Sequence, residues 1–155
     1  FGVSRVIFIE GVPEGDLTRG HIDGIARFIN PSTVVVAQCT DGSQCKINDG
    51  ATGSIFEHAA KLISNTGLTV LREPIETYVN HKGRAFDTNY MNWIVGDGYV
   101  ISSGFGDTKA DTNAKARLQS YFPGRDVYVI EMVESWAQGG GIHCHTSDQP
   151  SIPHK

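Results

Sequence analysis

Cys144 stands between His143 and His145 at the end of a loop that reads Gln138-Gly139-Gly140-Gly141-Ile142. Consecutive glycines cost conformational entropy, so a folded chain keeps them where a positive φ or a close backbone approach is needed. A thiol delivered by such a loop is placed for chemistry, and a neighbouring imidazolium raises its thiolate fraction. Far upstream, Gly20-His21-Ile22-Asp23-Gly24 sets an imidazole and a carboxylate two residues apart. On a strand, His21 and Asp23 share one face and Ile22 turns away, while Gly20 and Gly24 leave room for a ligand. The imidazole suits general acid/base work near neutral pH, and the carboxylate suits the grip of a cationic substrate. A Cys with a distant His and acid is the pattern of a nucleophile assembled by folding.

Blander readings compete at each position. His21 and Asp23 could simply hydrogen-bond to each other at a strand end. His21, Asp23, His143, Cys144 and His145 include acceptable zinc ligands, but no second pair shows the spacing of a structural zinc site, so a metal centre is a minority reading. No cofactor is expected. Cys39, beside the apolar run Val34–Ala37, reads as a small buried hydrophobe, and Cys45, near Gly42, Asn48 and Gly50, as a loop thiol. Cys39 and Cys45 could pair and leave Cys144 free. Nothing else points to a secreted disulfide scaffold, so free thiols in a reducing, cytoplasmic setting are expected.

The elements that must position these groups come from a chain of 155 residues, which is about one domain, 1–155. Apolar residues make up 39% and charged residues 19%, an ordinary globular balance. No run approaches the ~20 apolar residues of a membrane span. A net charge of −4 with scattered Lys and Arg offers no footprint for nucleic acid. The chain opens on Phe1-Gly2-Val3 and runs at once into the β-rich Arg5–Ile9. That is the look of a fragment, a processed product or a gene that begins late.

Periodicity predicts strands at Val6–Ile9, Ile25–Asn30, Thr33–Ala37, Leu68–Leu71, Tyr90–Val95, Tyr99–Ser102 and Asp126–Ile130. It predicts helices over about 54–64 and 108–121, and a short one over 132–137. Ser54 with Glu57 fits a capping box, and Gly67 a helix stop. Ala110, Ala114, Leu118 and Tyr121 form one face of the second helix. A repeat emerges: Phe28–Val36 resembles Trp93–Ile101, each a strand, a tight turn and a strand. Each is followed by a helix, a glycine and a further strand, Gly67–Val70 against Gly124–Val127. A ββαβ unit recurring at roughly 60 residues marks a repeat architecture whose units bury their faces against neighbours.

Thr18-Arg19-Gly20-His21-Ile22-Asp23-Gly24-Ile25-Ala26-Arg27-Phe28 resembles the His-x-Asp motif of agmatine deiminases and bacterial peptidylarginine deiminases. Phe122-Pro123-Gly124-Arg125 and Gly139–Cys144 resemble their nucleophile segment. Tyr90–Ile94 and Phe105-Gly106-Asp107, with Asp111 and Ala114, are similar to the module between. The resemblance runs from about Phe1 to Pro150. It implies an α+β pentein fold, five ββαβ modules in a ring (an α/β propeller), of which this chain is about half. It also implies hydrolysis of a guanidinium group to a ureido group with release of ammonia, agmatine giving N-carbamoylputrescine. By the resemblance, Cys144 is the nucleophile and His21 the acid and base. Asp23 binds guanidinium nitrogens, with Gly140 and Gly141 lining the substrate. The chemistry suits these types, since a planar cation calls for carboxylates and covalent catalysis divides a hard hydrolysis into two easier steps.

The chain departs from the family at several points. His145 follows the nucleophile where a small apolar residue is usual, and Arg19 stands where an acidic or polar residue is usual. The further carboxylates of the family would lie before Phe1, and Glu10, Glu14 and Asp16 match none of them. The expected partners are a small guanidino substrate and either another copy of the chain or a missing N-terminal half, with no nucleic acid or membrane. The alternatives are a non-catalytic fragment completed by a partner, a peptidylarginine deiminase, an amidinotransferase and a Cys/His metal module.

Overall fold

Residues 26–75 and 93–131 fold into the same unit twice. These elements belong to a computed structural model that describes residues 3–11, 18, 20–47 and 51–149. In the first unit β1 (Ala26–Asn30) and β2 (Thr33–Cys39) form an antiparallel hairpin with a bulge between Phe28 and Asn30. The chain crosses through α1 (Gln44–Ile47) and α2 (Ala51–Ser64) and returns as β3 (Thr69–Ile75), parallel to β2. A separate hairpin follows, β4 (Tyr78–His81) and β5 (Arg84–Asp87). The second unit pairs β6 (Trp93–Gly96) with β7 (Tyr99–Gly104), crosses through α3 (Thr108–Tyr121), and returns as β8 (Asp126–Glu131) parallel to β7. α4 (Val133–Trp136) leads to the Cys144 turn. No helix among the described residues is long and apolar enough to cross a membrane.

The repeat read from the sequence is therefore present as two mixed three-stranded sheets, and no closed ring of sheets is formed among the described residues. The registers equate Thr33 with Tyr99 and Phe28 with Val95. The alignment drawn from sequence set Thr33 against Gly98 and Phe28 against Trp93. It is out by one residue in the turn and two before the β1 bulge, where an extra residue enters the strand.

The two units share one core. α2 buries Ile55, Phe56, Ala59 and Ile63 beside Val34–Ala37, and Trp93, Val100, Leu118, Phe122 and Val127 join the same cluster. Trp93 meets the edge of Phe122 at 5.8 Å between ring centres. Between the units lies a fully buried carboxylate, Glu73 of β3. It accepts hydrogen bonds from Arg117 Nε and from the Tyr121 hydroxyl of α3, both at 2.9 Å. Burial pushes the Glu73 carboxyl up against the opposing pull of Arg117 and Tyr121.

Several expectations are corrected. Val6–Ile9 forms no strand; Val6 and Phe8 are 62% and 82% exposed, and β propensity without a ladder partner makes no strand. Tyr90 and Met91 are turn, and the strand begins only at Trp93. α2 starts at Ala51, so Ser54 lies within the helix rather than at its N-cap position, and Glu57 pairs with Arg72 at 2.6 Å. Cys39 and Cys45 form a disulfide with Cα atoms 5.8 Å apart, so of the three expected free thiols only Cys144 remains. Cys45 is also buried within α1 rather than a loop thiol. The hairpin β4–β5 was missed although its turn carries a signal: Lys82 and Gly83 both have positive φ, 49° and 80°, as a two-residue hairpin turn requires. Glu14, Asp16 and Arg19 lie outside the described residues.

Candidate active site

Asp23 sits in a single 3-10 turn, Ile22–Gly24, just before β1. This overturns the expectation that His21 and Asp23 share a strand face. The turn drives Asp23 inward, 8% exposed, and leaves His21 at its exposed N-terminal end. The His21 backbone N–H donates to Thr18 Oγ1 at 3.3 Å, and its ring makes no hydrogen bond or ion pair among the described residues. Asn89, in the loop after β5, holds the turn by donating Nδ2 to Gly24 O at 2.9 Å.

Cys144 sits in a second 3-10 turn, His143–His145. The loop before it is tied at both ends. Ser135 Oγ of α4 donates to Gly140 O at 2.8 Å, and Ile142 N–H donates to Ser103 Oγ, near the end of β7, at 2.9 Å. His145 Nδ1 lies 2.8 Å from Gly141 O. Trp136 of α4 braces the loop and packs edge-on to Phe105 at 5.2 Å. α4 is in turn held from the β4–β5 hairpin, where Lys82 Nζ reaches Glu134 at 2.8 Å.

The two turns meet at Asp23 Oδ2. His143 Nδ1 approaches it to 2.7 Å and so carries the proton, and the Cys144 thiol donates to it at 3.4 Å. Asn92, in the turn before β6, completes the group. Its Nδ2 donates to Asp23 Oδ2 at 2.9 Å and to Cys144 Sγ at 3.2 Å, and its Oδ1 accepts from His143 N at 2.9 Å. Burial works to raise the Asp23 carboxyl. The hydrogen bonds from His143 and Cys144, with the charges of His143 and Arg27, outweigh it and hold the carboxyl below its ordinary value. Arg27 is a largely buried cation stacked over the Trp93 ring at 5.4 Å; burial pulls its guanidinium down against the opposing pull of the Asp23 and Asp148 carboxylates.

Of the residues singled out from sequence, the structure brings Cys144 and Asp23 into contact, packs Gly140 and Gly141 against the same turn, and leaves the His21 ring apart. A Cβ on Gly140 would lie 2.8 Å from Cys144 Cβ. Asn92 and His143 as partners of Asp23 were missed. For Asn92 the one signal was an amide between the apolar Met91 and Trp93, where a buried polar group needs partners. Among the described residues, no group of three or more His, Cys, Asp or Glu is arranged to hold a metal ion. An anchored carboxylate beside an exposed thiol can bind a planar cation and present its carbon to a sulfur nucleophile.

The sequence profile of the Porphyromonas-type peptidyl-arginine deiminases matches residues 1–150. The agmatine deiminase of Medicago truncatula is 28% identical over 97% of this chain and 46% of its own length. That of Pseudomonas fluorescens (strain SBW25) is 26% identical over 99% of this chain and 46% of its own. A C. jejuni agmatine deiminase variant solved with substrate bound superposes with a TM-score of 0.76 at 25% identity, over 92% of this chain and 41% of that one. The chain thus spans less than half the length of these relatives. With a match that runs through both turns of the site, the chain belongs to the Porphyromonas-type peptidyl-arginine deiminase family.

Proposed function

We propose that this chain carries the nucleophile half of a guanidine deiminase that acts on an agmatine-type substrate. The observation that carries the reading is the contact of Asp23 Oδ2 with Cys144 Sγ at 3.4 Å across 121 residues of sequence. Asp23 grips guanidinium nitrogens, and the Cys144 thiolate attacks the guanidinium carbon. A C–S bond forms and a C–N bond breaks as ammonia leaves with a proton from His21. Water, deprotonated by His21, then attacks the S-alkylthiouronium carbon, and the C–S bond breaks to release the ureido product and the thiolate. Gly140 and Gly141 line the substrate. The relatives named agmatine deiminase support an agmatine-type substrate, and the family profile makes a peptidyl-arginine the alternative to test against it.

The test is ammonia release by the purified chain on agmatine, arginine and a blocked arginyl peptide. Cys144→Ala and Asp23→Asn serve as controls, and His21→Asn runs beside His143→Asn. Release that survives Cys144→Ala would end the proposal. Release lost in His143→Asn but kept in His21→Asn would move the acid/base role to His143.

A second reading is favoured by exposed apolar side chains on the outer strands: Phe28 at 57%, Tyr128 at 50% and Ile130 at 46%. Such faces seek cover. The two modules then form part of a pentein ring completed by a second copy or by further modules. Sedimentation showing a monomer at high concentration would count against completion by a second copy.

A further inference from the structure

We infer that Asn92 is the positioning residue of the Cys144 thiol: one buried carboxamide fixes Asp23, His143 and Cys144 relative to each other and holds the thiolate once it forms. The inference rests on the reading of Cys144 as nucleophile, but not on the substrate.

Asn92 is 2% exposed, and all of its hydrogen-bonding capacity points into this cluster except one lone pair of Oδ1. An amide has two N–H donors and one carbonyl acceptor. One donor goes to Asp23, 69 residues upstream, and the other to Cys144, 52 residues downstream. The carbonyl takes the backbone N–H of His143, 51 residues away, and so sets the orientation of the turn that carries the thiol. The three contacts constrain one another, because the carboxamide is planar and cannot rotate to favour one partner without losing another.

The chemistry of the amide matters as much as its shape. Its N–H is a fixed donor to sulfur that cannot ionise, so it favours the thiolate over the thiol. It also lies between two potential anions, Asp23 and the thiolate, whose mutual repulsion it offsets. Its own position is secured by backbone on both sides. Met91 N–H donates to Asn89 Oδ1 at 3.0 Å, and Trp93 N–H closes the turn onto Met91 O at 3.0 Å. Asn89 also holds Gly24 O, so one short loop secures the Asp23 turn twice.

The test is Asn92→Asp, which keeps shape and volume, loses both N–H donors and adds a negative charge beside sulfur. The rate of Cys144 alkylation by iodoacetamide is followed against pH in the full chain. A carboxylate this close raises a thiol by roughly one unit or more, which lowers the thiolate fraction on the rising limb about tenfold. The expected result is an upward shift of that size in the alkylation midpoint. A folded variant whose midpoint lies within about 0.3 units of the wild type would overturn the inference.

A measurement on the unaltered chain covers a variant that does not fold. The side-chain amide resonances of Asn92, followed by NMR against pH, should move with the same midpoint as alkylation and lose that step in Cys144→Ser. Resonances that stay still while the thiol titrates would refute it. A chain that shows these shifts but releases no ammonia from any guanidine would sink the deiminase reading and leave this one standing.

Discussion

Replacing Gly141 with Ala adds one methyl group at the most crowded point of the site. A Cβ there would overlap Ser103 Oγ, lie 2.5 Å from Asn92 Oδ1 and lie 2.9 Å from Trp136 Cζ3. None of the three yields cheaply. Ser103 accepts the Ile142 N–H, Asn92 holds Asp23 and Cys144, and Trp136 is braced by Phe105. Overpacking of this kind costs about 1–3 kcal/mol. Reduced freedom of the unfolded chain returns about 0.4–1 kcal/mol, and each hydrogen bond lost as Asn92 or Ser103 moves adds about 1 kcal/mol. The net loss is about 2 kcal/mol, which for a domain of this size lowers the melting temperature by roughly 4–8 °C. The melt is read by circular dichroism, with Cys144 alkylation measured on the same sample. Because Asn92 must shift, alkylation near neutral pH should fall even well below the melting point. A variant that melts with the wild type and alkylates at the same rate would refute the close-packing argument. Gly140→Ala is the contrast. Its Cβ meets Cys144 Cβ at 2.8 Å and Sγ at 3.3 Å, so thiol reactivity should change more than stability does.

Arg117→Met strands the Glu73 carboxylate in the core and should cost about 3–5 kcal/mol in urea unfolding, most of it recovered in the Glu73→Gln, Arg117→Met double variant. Burial raises Glu73, so its contribution is fully present below the ordinary glutamate range and is lost as pH rises through the folded value. The Arg117→Met deficit should therefore be largest near neutral pH and shrink toward the carboxylate range; a deficit independent of pH would contradict this. Asp23 has the opposite sign. Its carboxyl is lowered, so its contribution is present above the ordinary aspartate value and is lost as pH falls through the folded value. The stability gap between wild type and Asp23→Asn should close in acid, and a gap that widens there would contradict the hydrogen-bonded cluster. The Cys39–Cys45 bridge closes a loop with a sequence separation of 6, so Cys39→Ser with Cys45→Ser should lose about 2 kcal/mol. Thiol counting by mass spectrometry before and after reduction should find one free thiol and then three.

Local features of the fold were legible where the sequence carried its own stop and start. α3 runs from Thr108 to Tyr121 as expected, with Ala110, Ala114 and Leu118 buried, because Asp107 caps it through Lys109 N and Ala110 N and Pro123-Gly124 ends it. What failed was information held by distant partners. The run Val6–Ile9 has the composition of a strand, but no strand among the described residues pairs with it. The Asp23 segment has the spacing of a strand, but Asn89 draws its Gly24 carbonyl into a turn. The chemistry-bearing types Cys144 and Asp23 could be picked out because a thiol after three glycines and an acid between glycines are locally unusual. Asn92 could not, because its three partners lie 51 to 69 residues away.

The duplication bears directly on how the site is built. Asp23 lies in the turn that leads into β1, the first strand of the first unit, and Asn92 in the turn that leads into β6, the first strand of the second. Cys144 lies in the turn that follows the second unit, after β8 and α4. A chain that repeats one ββαβ unit thus brings a turn to the same place at each passage, and packing of the units through the shared core and the Glu73–Arg117 contact fixes the spacing between turns. The cluster therefore depends on the interface between the units as well as on its own hydrogen bonds. Loosening that interface through Arg117 should slow Cys144 alkylation even though Arg117 donates no hydrogen bond to Asp23, Asn92 or Cys144. Unchanged alkylation in a folded Arg117→Met variant would show that the turns hold one another without help from the units that carry them.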